Sequence, residues 1–229
     1  MIFDFYALLF AIPGLLLGLY AQARLSAAYQ KYLRIGTMSG LSGAEAARQL
    51  LDRAGLDDVP VEEIGGQLTD HYDPTKRALF LSSANYEGRS LAAVGVAAHE
   101  AGHALQDQAG YAPLKFRMML VPATRFASVA WMGIFFLGLI LGGPFFSKFI
   151  WVAVGIFAII TLFQIVTLPV EFDASRRAKE QLSRFGIIQS QESSAVAEVL
   201  NAAALTYVAA MVSAVMQLLR LLLIARNRN

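Results

Sequence analysis

Val96-Ala97-Ala98-His99-Glu100-Ala101-Gly102-His103-Ala104-Leu105-Gln106 is the stretch from which the rest of the chain is read. It contains H-E-x-x-H within a run of good helix formers. In a helix, His99 and His103 stand one turn apart on a single face. Two imidazoles so placed can share one Zn²⁺, and Glu100 beside them can act as general base. The chain holds three histidines, and two of them fall in this motif. Ser90 is a good N-cap and Gly110 a stop, so the spacing predicts a helix from about Leu91 to Gln108. Ala97, Ala98, Ala101 and Gly102 let a neighbouring helix approach closely. Glycine costs a helix interior roughly 1 kcal/mol, so Gly102 answers a steric demand.

Outward from the motif, composition excludes an ordinary soluble domain. Hydrophobic residues make up 56% of the 229 and charged residues 16%, and the apolar residues come in long blocks. The net charge of +2 is too small to argue for a nucleic-acid partner. Cysteine is absent, so a metal would be held by His, Asp or Glu, a donor set suited to a catalytic zinc. The partner implied by the apolar blocks is a lipid bilayer. The expected fold is mainly α: a polytopic helical bundle of about four spans with a small zincin-like α+β element, in one domain over 1–229.

The first apolar block, about 3–21, is long enough to cross a hydrocarbon core of about 30 Å. A cleaved signal peptide would carry a basic n-region, whereas the charged side chain at the start of this block is Asp4. Arg24, Lys31 and Arg34 follow it, which puts the N-terminus outside and the next segment in the cytoplasm. That segment, about 24–115, is polar enough for water. Ser42-Gly43-Ala44-Glu45 opens a helical pattern that Gly55 ends. Val61–Ile64 and Ala78–Leu81 favour strands, with His71 in a turn between them, and Ser83–Arg89 reads as a loop.

Further spans are expected over about 119–143 and 149–168, joined at Gly142-Gly143-Pro144 as a hairpin, and over about 202–225. Pro169 marks a kink or a fresh start, followed by a polar helix from Val170 to Arg184. Arg176, Arg177, Lys179 and Arg184 argue that 170–200 lies on the cytoplasmic side with the motif. The arginines after the last block end outside, against that trend.

A catalytic zinc takes three protein ligands and leaves a fourth position for water. The membrane hairpin returns the chain to the surface of the motif helix, which makes Glu171 the first candidate for the third ligand and Asp173 its rival. On a helix these two point in roughly opposite directions, so one of them faces the metal. Glu171 shares its face with Ser175, which could hydrogen-bond a ligand, whereas Asp173 shares its face with Arg177 and suits an ion pair.

His99-Glu100-Ala101-Gly102-His103, followed after a hairpin by Glu171-Phe172-Asp173-Ala174-Ser175-Arg176, resembles the gluzincin membrane peptidases. More closely, it looks like the YugP-type neutral zinc metallopeptidases of bacteria. Asp70-His71-Tyr72-Asp73-Pro74, Leu168-Pro169-Val170 and Ala203-Ala204-Leu205-Thr206-Tyr207-Val208-Ala209 carry the likeness along the chain. The resemblance implies zinc held by His99, His103 and Glu171, a catalytic Glu100, and a peptide or membrane-protein substrate. HtpX-type enzymes of similar layout carry Glu-x-x-x-Asp, where the aspartate orients a metal-binding histidine; here that place is Ser175, a weaker acceptor.

For the developing oxyanion the sequence offers His71 as a catalytic candidate, alongside Tyr72; the plainer alternative is a loop histidine. Leu79 and Phe80 are candidates to bind substrate if Ala78–Leu81 has a free edge, the alternative being an interior strand. Arg176 is a candidate for substrate or for a phosphate headgroup. The reading from sequence is therefore a zinc endopeptidase of the cell membrane facing the cytoplasm. A zinc-binding membrane scaffold without hydrolytic activity is the alternative. A small transporter fits less well, because the ionisable residues cluster in the polar segments.

Overall fold

The computed structural model describes residues 5–67 and 69–226. The start of the first expected span at residue 3, Asp4 and Arg228 lie outside the described residues. The elements run α1 (Phe5–Leu33), α2 (Gly43–Arg53), β1 (Val61–Ile64), β2 (His71–Asp73), β3 (Ala78–Ser82), α3 (Ser83–Tyr86), α4 (Leu91–Gln108), α5 (Ala112–Leu141), α6 (Gly143–Arg184) and α7 (Ser193–Arg226). The protein is mainly α, with a small three-stranded sheet. Among the described residues four helices, α1, α5, α6 and α7, are long and apolar enough to cross a membrane.

These four pack in the order α1, α7, α6, α5. Leu15, Leu16, Phe126, Val129 and Trp151 point outward from them, and Ile140 is 78% exposed. Such a surface is costly in water and ordinary against lipid tails. Small residues allow close approach inside the bundle: a Cβ at Gly14 of α1 would lie 2.4 Å from Ser213 Oγ of α7.

The four long helices extend beyond the apolar blocks, and their polar ends build the water-facing part. One core joins Ala28 and Tyr32 of α1, Leu50 and Leu51 of α2, Leu79 and Leu81 of β3, Val94 and Ala98 of α4, Leu182 of α6 and Val196 of α7. Local chemistry sets the helix ends. Ser42 Oγ accepts from the Glu45 N–H while Glu45 Oε2 accepts from the Ser42 N–H, a capping box that starts α2. Gly55 follows its end with φ +72°, a left-handed conformation suited to glycine. Ser90 Oγ accepts from the Ala93 N–H at 3.1 Å and starts α4 where the sequence places it.

Three local expectations change, and one open alternative is decided. His71–Asp73 is a strand, not a turn: three residues gain extended form by antiparallel pairing with β3. Ser83–Tyr86 is a short helix rather than a loop. The third block and the polar helix after Pro169 are one helix, α6. Proline removes one backbone bond there, but packing against α4, α5 and α7 carries the helix through. Finally, β3 lies between β1, which it pairs in parallel, and β2. Its Ala78–Leu81 segment therefore has no free edge for a substrate strand.

Candidate metal centre

The site forms where α4 crosses α6. A Cβ on Gly102 would lie 2.5 Å from the Ala174 carbonyl oxygen, so the two backbones are in contact there. Ala174 sits between Glu171 and Ser175 on α6, and the crossing brings both against His99 and His103. Glu171 Oε2 lies 3.2 Å from His99 Nε2 and 3.7 Å from His103 Nε2. The three donor atoms all fall within 4.8 Å of one another, in a group able to hold a metal ion. Donors about 2.0–2.1 Å from a tetrahedral zinc are separated by roughly 3.3 Å, so the set fits that ion. Glu171 is 2% exposed.

The histidines are oriented from behind. Ser175 Oγ is 3.1 Å from His99 Nδ1. Gln106 Oε1 is 3.0 Å from His103 Nδ1. Gln106 Nε2 donates to the Val170 carbonyl at 2.7 Å and to Asp173 Oδ2 at 3.0 Å. With both amide N–H groups on acceptors, Gln106 can offer His103 only its oxygen. That places the proton on Nδ1 and turns the Nε2 lone pair toward Glu171. Asp173 is held by Arg177 at 2.6 Å and by Arg176, so it stands behind the donor cluster rather than in it.

Glu100 is buried beside His99, and its Oε2 accepts from the Tyr72 N–H at 3.1 Å. Burial pushes its carboxyl up to about 7; Glu171 and Asp70 add to the rise, and His99 opposes it. A carboxyl in that range can both take and give a proton near neutral pH. The family described as "Putative neutral zinc metallopeptidase" matches residues 7–226.

The chain belongs to that family.

It is 44% identical over 216 residues to the protein called "Putative membrane protease YugP" of Bacillus subtilis (strain 168), across 94% of this chain and 95% of that one. No solved structure matches the chain. In this zinc metallopeptidase family member, other residues singled out in the sequence fall farther from the cluster. Tyr72 points its phenol to Asp107 Oδ2 at 2.9 Å. Alternation along β2 turns the neighbouring His71 to the opposite face, where its ring stacks on Phe80 with centroids 5.0 Å apart. His71 Nδ1 is 2.8 Å from the Thr69 carbonyl oxygen, and the ring is exposed. Leu79 is fully buried in the core, Phe80 lies under Lys76 on the sheet's outer face, and Arg176 pairs with Asp173 and Glu180.

Sequence reasoning passed over three neighbours of the site. Gln106 lies three residues after His103 on the same helix, which was a usable signal. Arg117 of α5 donates to Glu171 Oε1 at 2.6 Å, a contact across the hairpin with no local signature. Tyr207 of α7 also reaches the cluster, beside Glu171, Glu100 and Arg117.

Proposed function

We propose that the protein is a membrane-integrated, zinc-dependent endopeptidase. The convergence of Glu171 Oε2 on His99 Nε2 and His103 Nε2, with the buried Glu100 alongside, carries this reading. His99, His103 and Glu171 would hold the zinc, and no cysteine competes for it. Zinc, when bound in such a site, acidifies water and polarises a peptide carbonyl. Glu100 takes the proton from the attacking water and passes it to the leaving amine. The Tyr72 N–H fixes one oxygen of Glu100 and leaves the other for that proton. Ser175 and Gln106 hold the ligand imidazoles in orientation. A tetrahedral oxyanion needs a further donor, and Tyr207 brings a phenolic O–H to the same cluster.

The site lies at the cytoplasmic surface of the cell membrane in this reading, within a single domain of four spans. Support comes from charge: Arg24, Lys31, Arg34, Arg176, Arg177, Lys179 and Arg184 belong to the polar end, against Lys148, Arg220 and Arg226 toward the hairpin end. Substrates would be peptides or membrane proteins with segments near that surface.

The test compares new peptide termini in membranes carrying the wild type or Glu100→Gln. The variant should fold and retain zinc but generate no cleavage products. Wild-type cleavage by Glu100→Gln would remove the assigned base. Zinc binding by the wild type without any cleavage would leave a zinc-binding scaffold instead.

A further inference from the structure

The two oxygens of Glu171 have different neighbours. Oε2 faces His99 and His103, whereas Oε1 accepts from Arg117 Nη1 at 2.6 Å. That distance is at the short end for a charge-assisted hydrogen bond, and it acts on a carboxylate 2% exposed to solvent. Arg117 comes from α5, which has little other contact with α4. It is a quarter exposed and reaches the Glu171 oxygen that does not face the imidazoles.

A glutamate can bind a metal through one oxygen or through both. Binding through both, with water still in place, makes a four-coordinate site five-coordinate. We infer that Arg117 is a positioning residue: by holding Oε1 it commits Glu171 to present Oε2 alone, and so holds the site at four donors, water included. The inference rests on the assignment of His99, His103 and Glu171 as metal ligands. A plain ion pair that only compensates buried charge would leave the coordination number unchanged when removed. Arg117 as a positioning group changes it.

Co²⁺ loading of the full chain in lipid nanodiscs separates the two, because visible absorption distinguishes four-coordinate from five-coordinate cobalt. The wild type should give the intense bands of a four-coordinate site. Arg117→Met should lose that intensity while retaining cobalt, and Arg117→Lys, which restores a cationic donor, should regain it. An unchanged Arg117→Met spectrum with cobalt bound overturns the proposal and leaves the metal assignment standing. No cobalt or zinc in the wild type overturns both. Should Arg117→Met fail to fold, infrared difference spectra of the wild type on metal loading decide. A wide separation of the Glu171 carboxylate stretches, absent in Glu171→Gln, marks one-oxygen binding, and a narrow separation overturns the proposal.

Discussion

His99 and His103 both turn Nε2 toward Glu171 from one helix face, but they are supported differently. His99 rests on one hydroxyl of the partner helix, Ser175 Oγ at 3.1 Å. His103 rests on Gln106 at 3.0 Å, which is itself fixed by Val170 and Asp173, with Asp173 pinned by Arg177 and Arg176. A hydroxyl rotates and can give or take a proton, so it constrains its imidazole weakly. An amide with both N–H groups committed can only accept. The difference teaches that rigidity in this site comes from a chain of bonded groups reaching toward the surface, not from a single strong neighbour. The His103 arm sets the geometry, and the His99 arm can adjust to it.

Four substitutions can break or sharpen that contrast. The largest effect is expected from Gly102→Ala, because the added methyl would meet the Ala174 carbonyl and force α4 from α6. Overpacking of about 1–3 kcal/mol and loss of both arms should follow; thermal unfolding and zinc content would register them together. Gln106→Leu should come next. It leaves His103 Nδ1, the Val170 carbonyl and Asp173 short of a partner, costing about 1–3 kcal/mol in stability. Zinc affinity, measured by chelator competition, should fall about 10–100-fold.

Ser175→Ala should weaken zinc less, by under about tenfold, because the lost partner is one rotatable hydroxyl. Equal losses in Gln106→Leu and Ser175→Ala would erase the contrast between the arms. The smallest change is expected from Ser175→Asp. A carboxylate behind His99 fixes its tautomer and raises its basicity, so chelator competition should read tighter zinc than in the wild type. Weaker zinc in that variant would mean that the His99 arm has no room to adjust.

The parts of this arrangement that were legible in sequence are those written in local spacing. α4 runs from Leu91 to Gln108 as its Ser90 cap and Gly110 stop dictate. Gly102 sits against Ala174, the close approach that a glycine inside a helix implies. Glu171 faces the imidazoles and Asp173 faces Arg177, because residues two apart on a helix diverge. What was not legible depends on long-range pairing. β2 is three residues long and is extended because β3 lies beside it. The same pairing buries Leu79 and removes the edge that would have suited a substrate strand. Arg117 meets Glu171 because a membrane hairpin folds back, and no window around either residue reports that.

The central claim is that Glu171, not Asp173, completes a zinc site with His99 and His103. It is tested most directly by the metal content of three purified proteins: wild type, Glu171→Ala and Asp173→Ala. The wild type should hold stoichiometric zinc, Glu171→Ala should lose it, and Asp173→Ala should keep it, because Asp173 acts only through Gln106. Zinc kept by Glu171→Ala and lost by Asp173→Ala would contradict the account.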